Sequence, residues 1–100
     1  MRVRFTPQAR DDLKTILEFI DGKNPAGARN VKLALRRTVR LISDFPECGR
    51  LAGEQAVRVL KTGGHPFLVY WSIERAEAWI VHIRHAHRKP WIDELKAGGG

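Results

Sequence analysis

The densest cluster of titratable side chains in this 100-residue sequence lies near its C-terminal end, in the segment IVHIRHAHR. Arg84, His85, His87 and Arg88 lie within five residues of one another there. An imidazole titrates near neutrality and exchanges a proton, and a guanidinium group holds a phosphate or a developing negative charge. These residue types together suit acid–base cleavage of RNA. The alternative, which the residues slightly favour, is a basic docking surface that only hydrogen-bonds an acidic partner.

Basic residues of an earlier strand extend this candidate site. Arg58, Lys61 and His65 lie in that strand and in the turn after it, so they converge with the cluster only if the order of the strands brings the two segments together. Side chains held by strands are positioned better than side chains on loops. We therefore assign target binding to six residues: Arg58, Lys61, Arg84, His85, His87 and Arg88.

Neither a metal site nor a cofactor site is expected. Alternation along an extended chain would put His85 and His87 on one side and His82 on the other, and no carboxylate in that segment completes a ligand set. Cys48 is the single cysteine, which excludes an intrachain disulfide and a four-thiolate zinc site; we interpret it as a passive loop thiol. No Gly-rich phosphate loop, CxxC, HExxH or GxSxG motif is present.

The charge balance is strongly basic. Eighteen Lys and Arg residues against 11 Asp and Glu give a formal net charge of +7 and an isoelectric point near 10.3. This imbalance predicts an anionic partner, which would be nucleic acid, a nucleic-acid-rich assembly or an acidic protein. With 43% hydrophobic residues, a chain of this length supports one core. The lack of an apolar membrane span or signal peptide predicts a cytoplasmic protein without a membrane partner.

Three predicted strands lead to the cluster. They are rich in Val, Ile, Leu and aromatic residues, and they run from Ala56 to Lys61, from Phe67 to Ile73 and from Ala78 to Ile83. Gly63-Gly64-His65-Pro66 separates the first two strands, and the polar segment from Glu74 to Glu77 forms the turn between the last two. The C-terminal half therefore predicts an antiparallel meander whose last strand exits into His85.

The N-terminal half predicts one strand and an amphipathic helical hairpin. Arg2 to Phe5 alternates basic and apolar residues, which indicates a first strand. Thr6-Pro7 and Asn24-Pro25 each place a capping side chain before a proline, so we expect helices from Pro7 to Asp21 and from Pro25 until Pro46 ends the second. Apolar residues recur at helical spacing in both: Ala9, Leu13, Ile16, Leu17 and Ile20, then Ala28, Val31, Leu35, Val39 and Ile42.

Charged residues occupy the other faces of these helices. Asp11 and Asp12 suit the dipole at the start of the first helix. The second helix carries a basic face, which is either solvated or in contact with phosphates: Arg29, Lys32, Arg36, Arg37 and Arg40.

The predicted order is β-α-α-β-β-β, which places the chain in the α+β class. The helical hairpin packs on one face of a small antiparallel sheet and leaves the opposite face partly open. Glu47 to Gln55 is predicted to be a loop. We expect a single domain over residues 1–97 and a disordered glycine tail over residues 98–100.

The chain from Val3 to about Trp91 resembles the ParE/RelE family of toxins from bacterial type II toxin–antitoxin operons. The matching segments are FTPQARDDLKTILEFI, NPAGARNV, DFPECGR, VRVLKTGGHPFLVYW and IVHIRHAHR. His85 and Arg88 fall as in the terminal His-x-x-Arg of the family. Single motifs here have little specificity, and their order and spacing along the chain carry the resemblance.

The resemblance implies a cytoplasmic toxin that inhibits bacterial growth, in the manner of plasmid stabilisation systems, and that a cognate antitoxin neutralises by folding a disordered segment along it. ParE-like members poison DNA gyrase without known catalysis, and RelE-like members cleave messenger RNA in the ribosome. The His-x-x-Arg ending resembles the ParE-like branch, so gyrase poisoning is the expected function.

The alternative is a ribosome-dependent mRNA endoribonuclease, and a plain nucleic-acid-binding module is a more distant third. For the ribonuclease, the resemblance makes Lys61, His85, His87 and Arg88 the catalytic candidates. Some ribonuclease members place a tyrosine after the position of Arg88, whereas Tyr70 is the only tyrosine of this sequence.

Overall fold

The computed structural model describes residues 1–53 and 56–86, which form two helices packed against a five-stranded sheet. The elements are β1 (Arg2–Phe5), α1 (Pro7–Asp21), α2 (Pro25–Asp44), β2 (Arg50–Leu51), β3 (Val57–Lys61), β4 (Phe67–Glu74) and β5 (Glu77–His85). This confirms the α+β class and the helical hairpin on the sheet. The predicted domain end at residue 97 and the predicted glycine tail lie outside the described residues and stay predictions.

The sheet is mixed, whereas an antiparallel sheet was expected. Its strand order is β1-β5-β4-β3-β2; β1 pairs with β5 in parallel and every other pair is antiparallel. Parallel neighbours need a long connection between them, and here the helical hairpin and three strands separate β1 from β5 along the chain. The N-terminal strand thereby lies directly beside the strand that carries Arg84 and His85.

Both helices begin at the positions predicted from their capping residues. Thr6 Oγ1 accepts a hydrogen bond from the Ala9 N–H at 3.1 Å, and Asn24 Oδ1 accepts one from the Gly27 N–H at 3.0 Å. The first turn of α1 contains no acidic residue, because Asp11 and Asp12 come after it. The dipole interpretation of those two residues is therefore wrong, since the dipole effect falls off beyond the first turn.

The main core lies between the helices and the sheet. Trp71 and Ile80 are fully buried in its centre, and α2 contributes Leu35 and Ile42. On the opposite face of the sheet, Val59 and Tyr70 belong to a second, smaller cluster. Strand residues alternate between the two faces, so β3 and β4 supply both clusters.

The connection after α2 is held by the sheet. Trp71 Nε1 donates a hydrogen bond to the Pro46 carbonyl oxygen at 2.9 Å. Gly49 has a φ of +74°, and a Cβ atom there would lie 2.6 Å from the Val59 carbonyl oxygen. The chain then forms β2, so the predicted loop contains a two-residue strand that pairs with β3. Two residues are too few for strand periodicity to be detected in a sequence.

Candidate functional site

The last strand reaches further than its sequence predicted. β5 ends at His85 rather than at Ile83, so Arg84 and His85 lie within the sheet, where they pair with Leu68 and Phe67 of β4. Because the ladder fixes the backbone at both positions, the directions of the two side chains are fixed as well, and successive residues point to opposite faces.

A β-bulge decides which face each side chain takes. The β4–β5 ladder pairs Trp71 with Ile80 and Tyr70 with His82, which leaves Val81 as the extra residue of β5. Ile80 and Ile83 both belong to the core beneath the helices, although residues three apart in a regular strand face opposite sides. Beyond the bulge, Arg84 therefore takes the face away from the helices and His85 takes the helix side.

Lys61 and Arg84 flank Leu68 on the face away from the helices. Lys61 of β3 and Arg84 of β5 both pair with Leu68, which lies between them on β4. Their backbones are therefore two strand spacings, or about 10 Å, apart. Lys61 is exposed, Arg84 is half-buried, and Leu68 packs against the second apolar cluster. This row presents two cations beside an apolar residue, which suits a surface with anionic and apolar groups.

Arg58 and His85 take the other face. Arg58 pairs with the core residue Trp71, and its Nη1 donates a hydrogen bond to the Glu47 carbonyl oxygen at 2.8 Å. The His85 ring packs edge-on against Phe67, with ring centroids 5.5 Å apart. The structure thus divides the described site residues into two pairs on opposite faces. The remaining two predicted residues, His87 and Arg88, lie outside the described part of the chain.

A carboxylate that the sequence analysis did not assign to the site joins α1 to β5. Asp12 Oδ2 lies 3.0 Å from His82 Nδ1 and accepts a hydrogen bond from the Ile83 N–H at 3.1 Å. The segment around His82 contains no carboxylate of its own, which spoke against a metal site, and α1 supplies one from elsewhere in the chain. The sequence did contain a sign of this contact, because Asp12 lies three residues after Ala9 and four before Ile16, within the apolar stripe.

A groove of about 620 Å³ separates α1 from the end of the sheet. Phe19 and Ile16 of α1 line one wall. Phe67, His85 and Arg84 line the other, so Arg84 borders this groove as well as the face away from the helices. Phe19 is 64% exposed, which is unusual for a large apolar side chain that lines a cavity. The groove offers apolar surface next to the candidate binding residues.

The sequence matches the family described as ParE toxin of the type II toxin–antitoxin system, parDE, over residues 3–90. The chain belongs to this toxin family. The family assignment confirms the resemblance found in the sequence, and it makes the protein a toxin of the ParE/RelE superfamily.

The proteins to which this ParE-family toxin is similar carry both ParE-type and RelE-type names. It is 29% identical over 87 residues to Toxin RelE2 of Caulobacter vibrioides, an alignment that covers 87% of this chain and 97% of the relative. A structure of the chromosomal ParDE system of P. aeruginosa superposes with a TM-score of 0.78 at 21% identity, covering 87% of this chain and 97% of that one. The toxin–antitoxin complex RelBE of E. coli gives 0.63 at 12% identity, with 87% and 98% covered. At these identities the two structures establish a shared fold.

The described part of the ParE-family toxin offers no grouping of three or more His, Cys, Asp or Glu side chains suited to a metal ion. The same residues include no helix that is long and apolar enough to span a membrane.

Proposed function

We propose that this ParE-family toxin inhibits bacterial growth by binding DNA gyrase through the basic end of its sheet. The observation that supports this is the row of Lys61, Leu68 and Arg84, in which the hydrogen-bonded ladder holds two cations on one accessible face. Fixed cations beside apolar surface bind a partner without a chemical step, and the net charge of +7 favours an acidic surface.

The arrangement of the histidines favours binding over catalysis. Acid–base cleavage requires a proton-transferring group within hydrogen-bond reach of the reacting atoms that the cations hold. His85 packs against Phe67 on the face opposite to Lys61 and Arg84, and His82 is turned towards Asp12. Of the catalytic candidates, His85 therefore does not share the face of the two cations. His82, which by alternation takes the same face as Arg84 along β5, has its imidazole engaged by Asp12.

The alternative function is ribosome-dependent cleavage of messenger RNA, and the relative named Toxin RelE2 favours it. Its catalytic residues would be Lys61, His85, His87 and Arg88. Of these, His87 and Arg88 lie outside the described residues, two and three positions after the last residue of β5 in the sequence.

We further propose that a cognate antitoxin neutralises the toxin in the cytoplasm, where both candidate targets reside. The structural relatives include a ParDE system and a RelBE toxin–antitoxin complex. A disordered antitoxin segment with apolar residues would bury them against the helical hairpin or the edge of the sheet, and the basic toxin would attract acidic residues beside them.

One pair of assays separates the two candidate functions. Purified toxin is added to a gyrase supercoiling reaction and, in parallel, to translating ribosomes whose messenger RNA ends are mapped. Inhibition of supercoiling without new RNA ends supports the gyrase proposal, whereas ribosome-dependent RNA ends with normal supercoiling support the alternative.

The antitoxin proposal has its own measurement. The protein encoded next to the toxin gene should raise the melting temperature of the toxin, because a partner that binds only the folded state stabilises it by about 2.7 kcal/mol at a concentration 100 times its Kd. A melting temperature that does not move in a saturating excess of this protein contradicts the pairing.

A further inference from the structure

The Asp12 carboxylate has hydrogen-bonding partners on two elements. Its Oδ1 accepts from Gln8 Nε2 at 2.9 Å within α1, while its Oδ2 contacts His82 Nδ1 and accepts from the Ile83 N–H in β5. The Asp12 and His82 side chains are only 16% and 14% exposed. Asp12 is therefore largely buried, and both of its carboxylate oxygens have hydrogen-bonding partners. Its side chain is not that of a solvated helix residue.

The Asp12 carboxylate lies at the outer edge of β5, where a neighbouring strand would otherwise accept the backbone hydrogen bond. β1 covers the outer edge of β5 only as far as Ile80, which pairs with Phe5, and the Thr6 N–H donates to the Ile80 carbonyl oxygen before the chain enters α1. The Ile83 N–H comes after that point and finds Asp12 as its acceptor. A partly buried amide without an acceptor is strongly unfavourable, so Asp12 stabilises the strand where β1 no longer covers it.

Asp12 contacts His82 and Ile83, the two residues that follow Val81, the extra residue of the bulge. His82 resumes the pairing with Tyr70, and Ile83 returns to the helix-side core. Because side chains alternate, a shift of one residue in this register would exchange the faces of Arg84 and His85. Burial of the Ile83 side chain favours the observed register, and Asp12 adds the backbone and side-chain hydrogen bonds that hold it.

We propose that Asp12 is a positioning residue: by anchoring His82 and Ile83 in the bulged conformation, it keeps Arg84 on the same face as Lys61. The consequence for toxicity rests on the proposed function, in which that pair of cations binds the target. The effect on the strand itself is independent of which target the toxin binds.

Three variants test this role. Asp12→Ala removes the acceptor, whereas Asp12→Asn keeps one neutral oxygen that accepts from the Ile83 N–H and faces His82 Nδ1, with its amide group on the side of Gln8. Asp11→Ala is the matched control, because Asp11 is the adjacent carboxylate on the exposed side of α1. Each toxin is purified through its antitoxin complex and checked for folding by circular dichroism.

The readouts are amide hydrogen exchange at Ile83 and Arg84, measured by NMR, and affinity for the target in the assay that responds to wild-type toxin. Asp12→Ala should exchange faster at both amides and lose on the order of 10-fold or more in affinity, because the strand then populates the register that holds Arg84 beside Lys61 only in part. Asp12→Asn should restore most of both properties, and Asp11→Ala should match wild type. A merely structural contact would lower the melting temperature without lowering the affinity of the folded protein.

Two outcomes overturn the proposal: unchanged exchange at Ile83 in Asp12→Ala, or full target affinity of that variant when it is folded. Should Asp12→Ala not fold, His82→Phe replaces it, since it removes the side-chain hydrogen bond to Asp12, and full affinity of this variant also overturns the proposal. Failure of the proposed function looks different. In that case Lys61→Ala and Arg84→Ala keep wild-type activity, while the exchange measurement still decides the role of Asp12.

Discussion

Trp71 and Pro46 are joined by a hydrogen bond of 2.9 Å from the indole Nε1 to the carbonyl oxygen. Trp71 is fully buried in the middle of β4, and Pro46 begins the connection that leaves α2. The bond attaches the end of the helical hairpin to the centre of the sheet, on the strand that also pairs with Lys61 and Arg84. β4 thus both holds the end of the helical hairpin and pairs with the strands of the candidate site.

Trp71→Phe should destabilise the fold. The substitution leaves the Pro46 carbonyl oxygen without its donor and leaves a cavity, so we expect a loss of about 2–4 kcal/mol in the free energy of unfolding. Urea denaturation followed by circular dichroism measures it. Trp79→Phe is the control, since Trp79 is only half-buried, and equal losses in both variants would contradict the role of the hydrogen bond.

Leu35→Ala should destabilise the protein by about 2–5 kcal/mol, because it opens a cavity between α2 and the sheet. Leu35 is 5% exposed, and its neighbour Arg36 lies on the exposed side of the same helix. Arg36→Ala should change the unfolding free energy by less than about 0.5 kcal/mol. If the two variants unfold at the same urea concentration, the assignment of the buried face of α2 is wrong.

Gly49→Ala should destabilise the connection between α2 and β3. The backbone of Gly49 is in the left-handed region, and a Cβ atom would clash with the Val59 carbonyl oxygen, so we expect a loss of about 1–3 kcal/mol. The matched control is Gly63→Ala, because a Cβ atom at Gly63 would meet nothing within 4 Å. Thermal melting of both variants makes the comparison; a larger loss at Gly63 would refute it.

Lys61→Ala and Arg84→Ala should each weaken growth inhibition while the melting temperature stays close to that of wild type. Both residues lie in the cationic row that the proposed function uses, and removing an exposed or half-buried charge leaves the core intact. Growth is measured after induction of each variant. The control is a triple alanine variant of Arg36, Arg37 and Arg40; a loss of toxicity confined to that variant would move the site to α2.

His85→Ala separates binding from catalysis. An acid–base role predicts a loss of RNA cleavage on the order of 10²–10⁴-fold, whereas a packing role against Phe67 predicts a mild effect on target affinity. His65→Ala is a suitable control, because His65 lies in the β3–β4 turn and is not among the six residues assigned to target binding. A large rate loss in His85→Ala alone would favour the ribonuclease over the gyrase inhibitor.

The sequence by itself determined both helices, the four longer strands and the class of the fold. Thr6-Pro7 and Asn24-Pro25 started both helices where they were predicted, and the polar turn after Glu74 joined β4 to β5. These features depend on residues close together in the chain, whose capping, periodicity and turn preferences act locally. The order of the motifs was also sufficient for the family.

The tertiary structure decided the arrangement of the candidate site. The parallel pairing of β1 with β5, the bulge at Val81 and the contact of Asp12 with His82 join residues that are far apart in sequence or shift a register by one position. A hydrophobic pattern encodes neither the pairing of segments that are distant in sequence nor the register between two strands. Both are set only when the strands pair in the folded protein. For that reason the sequence identified Lys61, Arg84 and His85 as candidates, and only the folded sheet placed the two cations on one face and the imidazole on the other.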